Sequence, residues 1–403
     1  GTMEFDIGSI PFSRNGSYTM LNQLAERWGS GLQLRSVLGV HVSREVFRVL
    51  FLKGGKPVEV SIRATPLALV ADGRGQGRVT FTFVEPDVLA IEGEGLTVRL
   101  ESAIQDAASG GQYAFRAGEH AYYLNRVQFL AVAQQGAMQV DSLTPQELRV
   151  IRRQKLEYPK PPVRADFVPD ADGRLVGLLH DYLTTPNLAD DLTAPFEEQK
   201  AEVAADWQAW KSAVPEVGPK YAEAAEKAML VNWISTVRPL GHVQRPTILM
   251  SKNWMTQCWS WDHCFNAIAM AYEDPATGWD QLMTMFDSQD EHGCLPDAIS
   301  PFVRVWNFCK PPIHGWALAR MIEGMGGLLP RPLAQELYPK LADWTLWWLE
   351  NRDNDGDGLC EYHHGNDSGW DNGTLFDPGF PMTSPDLARS EEHTSELQSH
   401  API

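Results

Sequence analysis

The stretch Thr193–Val214, T-A-P-F-E-E-Q-K-A-E-V-A-A-D-W-Q-A-W-K-S-A-V, divides the chain into two kinds of sequence. Within it Phe196, Val203, Trp207, Trp210 and Val214 recur at helical spacing, Thr193 can cap, and Pro195 suits a first helical turn. Upstream the period is two. Val58–Arg63, Val79–Phe83 and Leu96–Glu101 alternate apolar with polar residues, as strands do when one face is buried and the other wet. Gly54-Gly55, Gly73 to Gly77 and Gly93 to Gly95 separate the strands as turns. The Gly73–Gly77 run is not a phosphate loop, because its spacing is not G-x-G-x-x-G and a strand follows where a helix is needed. The fold class expected is therefore multidomain, β then α. An antiparallel β-sandwich covers 3–165, a Pro- and Gly-marked connection covers 166–193, and a helical domain covers 194–388.

Downstream, helical patterns recur at Tyr221–Thr236, Asp262–Tyr272, Trp279–Asp287, His314–Met325 and Lys340–Arg352. Short and long connections alternate between them, which points to antiparallel helical hairpins set in a ring with the long loops at one end. Of the 14 Trp, all but Trp28 lie beyond residue 200. Trp344 and Trp348 share a helical face with Leu341, whereas Trp254, Trp259, Trp261, Trp306 and Trp370 fall in or beside loops. Planar rings on loops that also carry Asp and His suit a cleft that stacks on sugar rings and excludes water.

A chain of 403 residues is long enough for two cores. A formal net charge of -18 argues against nucleic acid or an anionic membrane as partner and favours a neutral or cationic ligand. No apolar run approaches the roughly 18 residues that span a bilayer. The first residues lack the basic and apolar regions of a secretory signal, so the expected location is cytoplasmic. The Asn15, Asn366 and Asn372 sequons would then go unused. The five Cys are odd in number and form no close C-x-x-C pair, which leaves zinc out and implies reduced thiols.

The chemistry concentrates in the loops. In W-S-W-D, Trp259 and Trp261 offer aromatic faces, and Asp262 either caps the helix it opens or accepts hydrogen bonds from sugar hydroxyls. The polar run Gln289–Asp297 is a weaker candidate. In K-P-P-I-H-G-W, His314 and Trp316 sit in the first turn of a helix. The long loop Asn351–Asp386 opens with Asp353, Asp355 and Asp357, spaced two apart as in loops that wrap Ca²⁺ with oxygen ligands; a turn without metal is the other reading. His364 stands twelfth in that count, where an EF-hand needs Glu. Further on, Asp371 lies between Trp370 and Asn372 beside a partly apolar run. Apolar surroundings raise a carboxyl pKa and suit a general acid, and glycosidic cleavage needs such an acid plus a second carboxylate.

At W-S-W-D-H-C-F-N-A, K-P-P-I-H-G-W-A, R-D-N-D-G-D-G-L-C-E and S-G-W-D-N, in this order, the chain resembles glycoside hydrolase family 63 over roughly residues 230–388. The family includes α-glucosidases and mannosylglycerate or glucosylglycerate hydrolases. The resemblance implies an (α/α)6 toroid, often preceded by a β-sandwich, and an inverting mechanism acting on an oligosaccharide or small α-glycoside. Asp371 would be the general acid, and Trp261 and Asp262 would bind the sugar at the cleaved end. Trp259, His314, Trp316, Trp370 and Asn372 are candidates to line the same cleft. No cofactor is required, and Asp353, Asp355 and Asp357 would hold a structural Ca²⁺. The sequence departs from the family in three ways. Its helical patterns make about half of such a ring, the downstream Glu that serves as general base has no counterpart, and the tail from Arg389 resembles a translated sequencing adapter. Glu391, Glu392 and Glu396 are therefore not taken as the base, and a truncated chain, inactive by itself, is expected. Three alternatives are a carbohydrate-binding protein without catalysis, a trehalase- or debranching-type toroid enzyme, and a Ca²⁺-stabilised structural module.

Overall fold

The computed structural model describes residues 3–23, 31–38, 44–103, 112–272 and 274–387. Trp28 and the tail from Arg389 lie outside the described residues. A sheet-rich N-terminal region is followed by a helical one, and the chain divides into two units. The first comprises Gly1–Lys211, Ala228–Ser235 and Ser251–Thr256; the second comprises Ser212–Lys227, Thr236–Met250 and Gln257–Ile403.

Among the described residues of the first unit, fifteen strands form two antiparallel sheets. The seven-stranded sheet orders β1 (Thr19–Asn22), β2 (Leu32–Ser36), β3 (Arg44–Lys53), β9 (Thr97–Ser102), β14 (Val163–Val168) and β13 (Ala137–Ser142), with β4 (Lys56–Pro57) paired to β3. The eight-stranded sheet orders β10 (Tyr113–Ala117), β11 (His120–Leu124), β12 (Gln128–Gln135), β15 (Arg174–Tyr182), β8 (Val88–Glu94), β7 (Arg78–Glu85), β6 (Leu69–Asp72) and β5 (Ser61–Ala64). Alternation places the core: along β9, Val98, Leu100 and Ser102 are buried while Thr97, Arg99 and Glu101 are only partly so. Residues of both sheets share one apolar cluster, where Phe47 meets Phe129 at 5.7 Å between ring centroids and Phe51 meets Phe81 at 6.2 Å.

Sheet structure runs past the edge expected at residue 165. β15 lies inside the eight-stranded sheet between β12 and β8, within the segment read from sequence as connection. Its Leu175 and Leu179 face the shared core, while Val176 and Leu178 pack under Leu192 and Phe196 on the other face. A strand buried on both faces shows no alternation, which is why the period-two reading missed it. Helix α1 (Pro145–Gln154) was also missed, although its capping box is written in Thr144-Pro-Gln-Glu147: Thr144 Oγ1 accepts from the Glu147 amide at 3.1 Å, and Glu147 accepts from the Thr144 amide at 2.7 Å.

Helix α2 spans Glu197–Lys211, not from Thr193, and buries Val203, Trp207 and Trp210 as its spacing predicts. It pairs with the end of α3 (Ala222–Ser235): Trp210 Nε1 donates to the Met229 carbonyl at 3.1 Å and Trp233 Nε1 to Asp206 at 2.8 Å. Lys200 of α2 also reaches Glu92 of β8 at 3.0 Å. These bonds place α2 and the end of α3 with the sheets, so the helical domain does not begin at 194. The Ser251–Thr256 loop belongs to the same unit. Its Lys252, 0% exposed, donates to Ser13 Oγ and the Arg14 carbonyl, both at 3.2 Å.

The second unit carries α4 (Asp262–Ala271), α5 (Pro275–Phe286), α6 (His314–Gly324) and α7 (Arg331–Asn351). α4 and α5 touch backbone to backbone at Gly278, where an added Cβ would lie 2.9 Å from the Ala267 carbonyl oxygen. Met283, Phe286, Met321, Leu341, Trp344, Trp348 and Tyr362 form the core. α7 begins well before the expected Lys340 because it runs through Pro339. All five Cys are buried and none is in a disulfide; Cys294 and Cys309 lie 3.6 Å apart, sulfur to sulfur, as thiols. No helix among the described residues is long and apolar enough to cross a membrane.

Candidate active site

Two short antiparallel pairings among three strands frame the site. Cys258–Trp259 pairs with Ala298–Ile299, which pairs with Arg304–Val305. The Ser260 amide donates to the Asp297 carbonyl at 2.9 Å, so the W-S-W-D run and Asp297 are backbone neighbours. Trp261 is the N-cap residue of α4 and makes no side-chain cap bond; Asp262 is the first helical residue. Asp262 therefore does not cap its helix. Burial raises its carboxyl, its own amide and Lys310 oppose, and the charge of Asp371 adds to the rise.

Beneath it lies a charge cluster that the sequence reading did not assign. Lys310 Nζ stands 3.0 Å from Asp297 Oδ1, with both side chains under a tenth exposed. Burial lifts the Asp297 carboxyl to about 6, against the pull of Lys310 and with Asp371 and Asp367 reinforcing. Lys310 also donates to the Asn366 carbonyl at 2.6 Å and so ties this hairpin to the turn at Gly365–Ser368. That turn is fixed from its other side: Arg352 meets Asp367 at 2.9 Å, and the same Asp367 oxygen accepts the amides of His363 and His364.

The next residue decides where Asp371 goes. Gly369 has φ +77° and lies against the Trp261 ring so closely that a Cβ would come 2.4 Å from a ring carbon. This contact carries Trp370 and Asp371 past the indole of Trp261. Trp370 is 70% exposed, and Asp371 and Asn372 are exposed. Asp371 acts electrostatically on both Asp262 and Asp297. Trp261 meets Phe265 edge-on at 5.8 Å, and Phe265 meets Trp316 at 5.9 Å, giving a half-exposed aromatic wall on α4 and α6. Trp259 is half-buried in the ladder.

His314 is not in this wall. It is 1% exposed between Phe286 and Trp344, its Nδ1 accepts the Trp344 indole N–H at 3.2 Å, and burial depresses its pKa to about 3. The sequence reading that put it against substrate is corrected: a neutral imidazole with its ring among core aromatics offers no surface to a ligand. The residues to which sequence alone gave no role are Lys310, Arg352, Asp367 and Phe265, and Asp297 entered only as the end of the weaker polar run. Lys310, Arg352 and Phe265 stood inside quoted motifs, but the ion-pair partners of Lys310 and Arg352 are distant in sequence.

Asp353, Asp355 and Asp357 each place one carboxylate oxygen within 4.8 Å of the others. Both Asp353 oxygens accept backbone amides, from Asp357 and Gly358 at 3.0 Å. The Asp357 amide lowers the Asp355 pKa, but slight desolvation and the charges of Asp357, Glu361 and Asp353 outweigh it, so the carboxyl is raised. A set of hard oxygens with mutual repulsion fits a Ca²⁺ ion.

Residues 255–400 match the family model for the mannosylglycerate hydrolase MGH1-like glycoside hydrolase domain, which bears out the resemblance to family 63 read from the motifs. Mannosylglycerate hydrolase MGH1 of Selaginella moellendorffii is 25% identical over 138 residues, covering 30% of this chain and 28% of that protein. Mannosylglycerate hydrolase of Rubrobacter radiotolerans is 23% identical over 211 residues, covering 44% of this chain and 45% of that protein. The chain thus spans less than half the length of either relative. In fold alone it is similar to the Family GH92 inverting mannosidase of Bacteroides thetaiotaomicron, with TM-score 0.52, 10% identity and coverage of 97% of this chain and 61% of that one.

Proposed function

With the helical region related to glycoside hydrolases of family 63, we propose that this chain carries the sugar-binding wall and the general acid of an inverting O-glycosyl hydrolase. On this reading the two sheets are a β-sandwich and α4–α7 open an (α/α)6 toroid. Its substrate is a small α-glycoside such as glucosylglycerate or mannosylglycerate. Trp261, Phe265, Trp316 and Trp370 stack on the sugar, and Asp262 and Asn372 bond its hydroxyls. Asp371 donates a proton to the glycosidic oxygen as the C–O bond breaks, and a second carboxylate takes a proton from the water that attacks the opposite face. The observation that carries the reading is the Gly369–Trp261 contact, which delivers Asp371 to the aromatic wall beside Asp262.

The second carboxylate is not assigned to a described residue, since Asp297 is engaged by Lys310 and Asp367 by Arg352. The chain alone is therefore expected to bind without efficient turnover. A calorimetric titration with glucosylglycerate and mannosylglycerate tests this. Binding should weaken about tenfold or more in Trp261→Ala and in Asp262→Asn, the scale of one aromatic or charge-assisted contact. Folded variants with unchanged affinity would overturn the site. Turnover by this chain, lost in Asp371→Asn, would keep the acid and return the base to a described carboxylate.

The same reading assigns a Ca²⁺ ion to Asp353, Asp355 and Asp357, with a structural role only.

A further inference from the structure

The outer face of the eight-stranded sheet, turned away from the shared core, carries a second aromatic surface that none of the chemistry above uses. Pairing registers place Phe115 opposite Tyr122, Tyr122 opposite Leu130, and Leu130 opposite His180, one row across four strands. The Phe115 and Tyr122 rings stack at 5.2 Å and 17°, with Phe115 44% exposed. One step along the same face, His180 and Tyr182 stack at 5.9 Å and 12°. Cross-strand aromatic pairs stabilise sheets, but a stability role alone does not call for the walled cavity beside this one.

That cavity holds about 390 Å³, within the range of small-ligand sites. Its floor is Tyr122, Leu130 and Leu178, and its far wall is the segment from Pro186 to Thr193. The wall is anchored. Leu188 and Leu192 pack with Ala90, Val176 and Leu178, and the Gln134 side-chain amide donates to the Leu192 carbonyl at 2.6 Å. His120, Asn187 and Asp190 supply polar groups at the rim. No Lys or Arg is among the described residues that line it, so an anionic ligand finds no partner there. A half-buried tyrosine ring beside neutral and acidic hydrogen-bonding groups matches the C–H face and hydroxyls of an uncharged sugar.

We propose that this groove is a second, non-catalytic carbohydrate site that takes a neutral sugar ring on the face of Tyr122. It lies wholly within the first unit and does not depend on the site at Trp261. The test uses the full chain carrying Trp261→Ala, titrated with maltotriose and with α-1,2-mannobiose. At least one sugar should still bind, about tenfold more weakly when Tyr122→Ala is added and with unchanged affinity for Tyr122→Phe. Circular dichroism and melting of each variant establish that it is folded. Absence of binding by either sugar in the Trp261→Ala chain overturns the proposal, as does binding indifferent to Tyr122→Ala. Failure of the Trp261 site shows instead as equal affinity of the wild-type and Trp261→Ala chains, a separate comparison.

Discussion

Two buried imidazoles and one buried carboxyl pull the acid stability of the helical unit in opposite directions. Burial lowers His263 to about 4 and His314 to about 3 from the usual 6.5. As pH falls below 6.5 the unfolded chain takes up protons that these groups refuse when folded, and stability drops. Asp297 does the reverse: its folded value of about 6 exceeds the usual 3.8, so between those values the folded state holds the extra proton and gains stability as pH falls. Lys310, Asp371 and Asp367 are the charges acting on it. The melting temperature should fall from pH 7 to 4, and fall more steeply between 6 and 4 in Asp297→Asn; equal slopes in a thermal-melt series would contradict the assignment. Sequence composition offers no route to such a value, because burial and a charge thirteen positions away set it. By contrast the helix that opens at Asp262 was legible, since the motif around it is local.

At the scale of elements, Lys310 joins two loops that local sequence leaves independent. It pairs Asp297 and holds the Asn366 carbonyl, while Arg352 fixes the same turn through Asp367. Removing one partner of a buried pair costs about 3–5 kcal/mol. Lys310→Met should approach that loss in chemical denaturation at pH 7, and adding Asp297→Asn should recover part of it; strict additivity would place the two residues out of contact. The Asp353–Asp357 loop makes a separate prediction. Ca²⁺ at a hundredfold above its Kd should stabilise the protein by about 2.7 kcal/mol, and Asp355→Asn should abolish the effect. Melting curves that coincide in Ca²⁺ and in chelator would remove the ion from the account. Elements with one wet face, such as β9, were legible from alternation. β15 and the first part of α7 were not, because burial on both faces and a tolerated Pro339 erase the local signals.

At the scale of the whole chain, sequence placed a sheet-rich region before a helical one, and the structure agrees while moving the boundary. Trp210 and Trp233 bind α2 to the end of α3, so those helices group with the sheets although their own periodicity reads like that of α4–α7. Periodicity reports which face of a helix is buried, not which neighbour buries it. In the other unit, the wall of Trp261, Phe265 and Trp316, with Trp370 and Asp371 brought up by Gly369, is the proposed glycoside site. Indole ¹⁵N–¹H resonances, assigned by single Trp→Phe variants, test it most directly during titration with glucosylglycerate. Saturable shifts are expected at Trp261 and Trp370, little change at the buried Trp344 and Trp348, and loss of the shifts in Asp262→Asn. Binding that leaves Trp261 and Trp370 unmoved, or shifts that persist in Asp262→Asn, would contradict it.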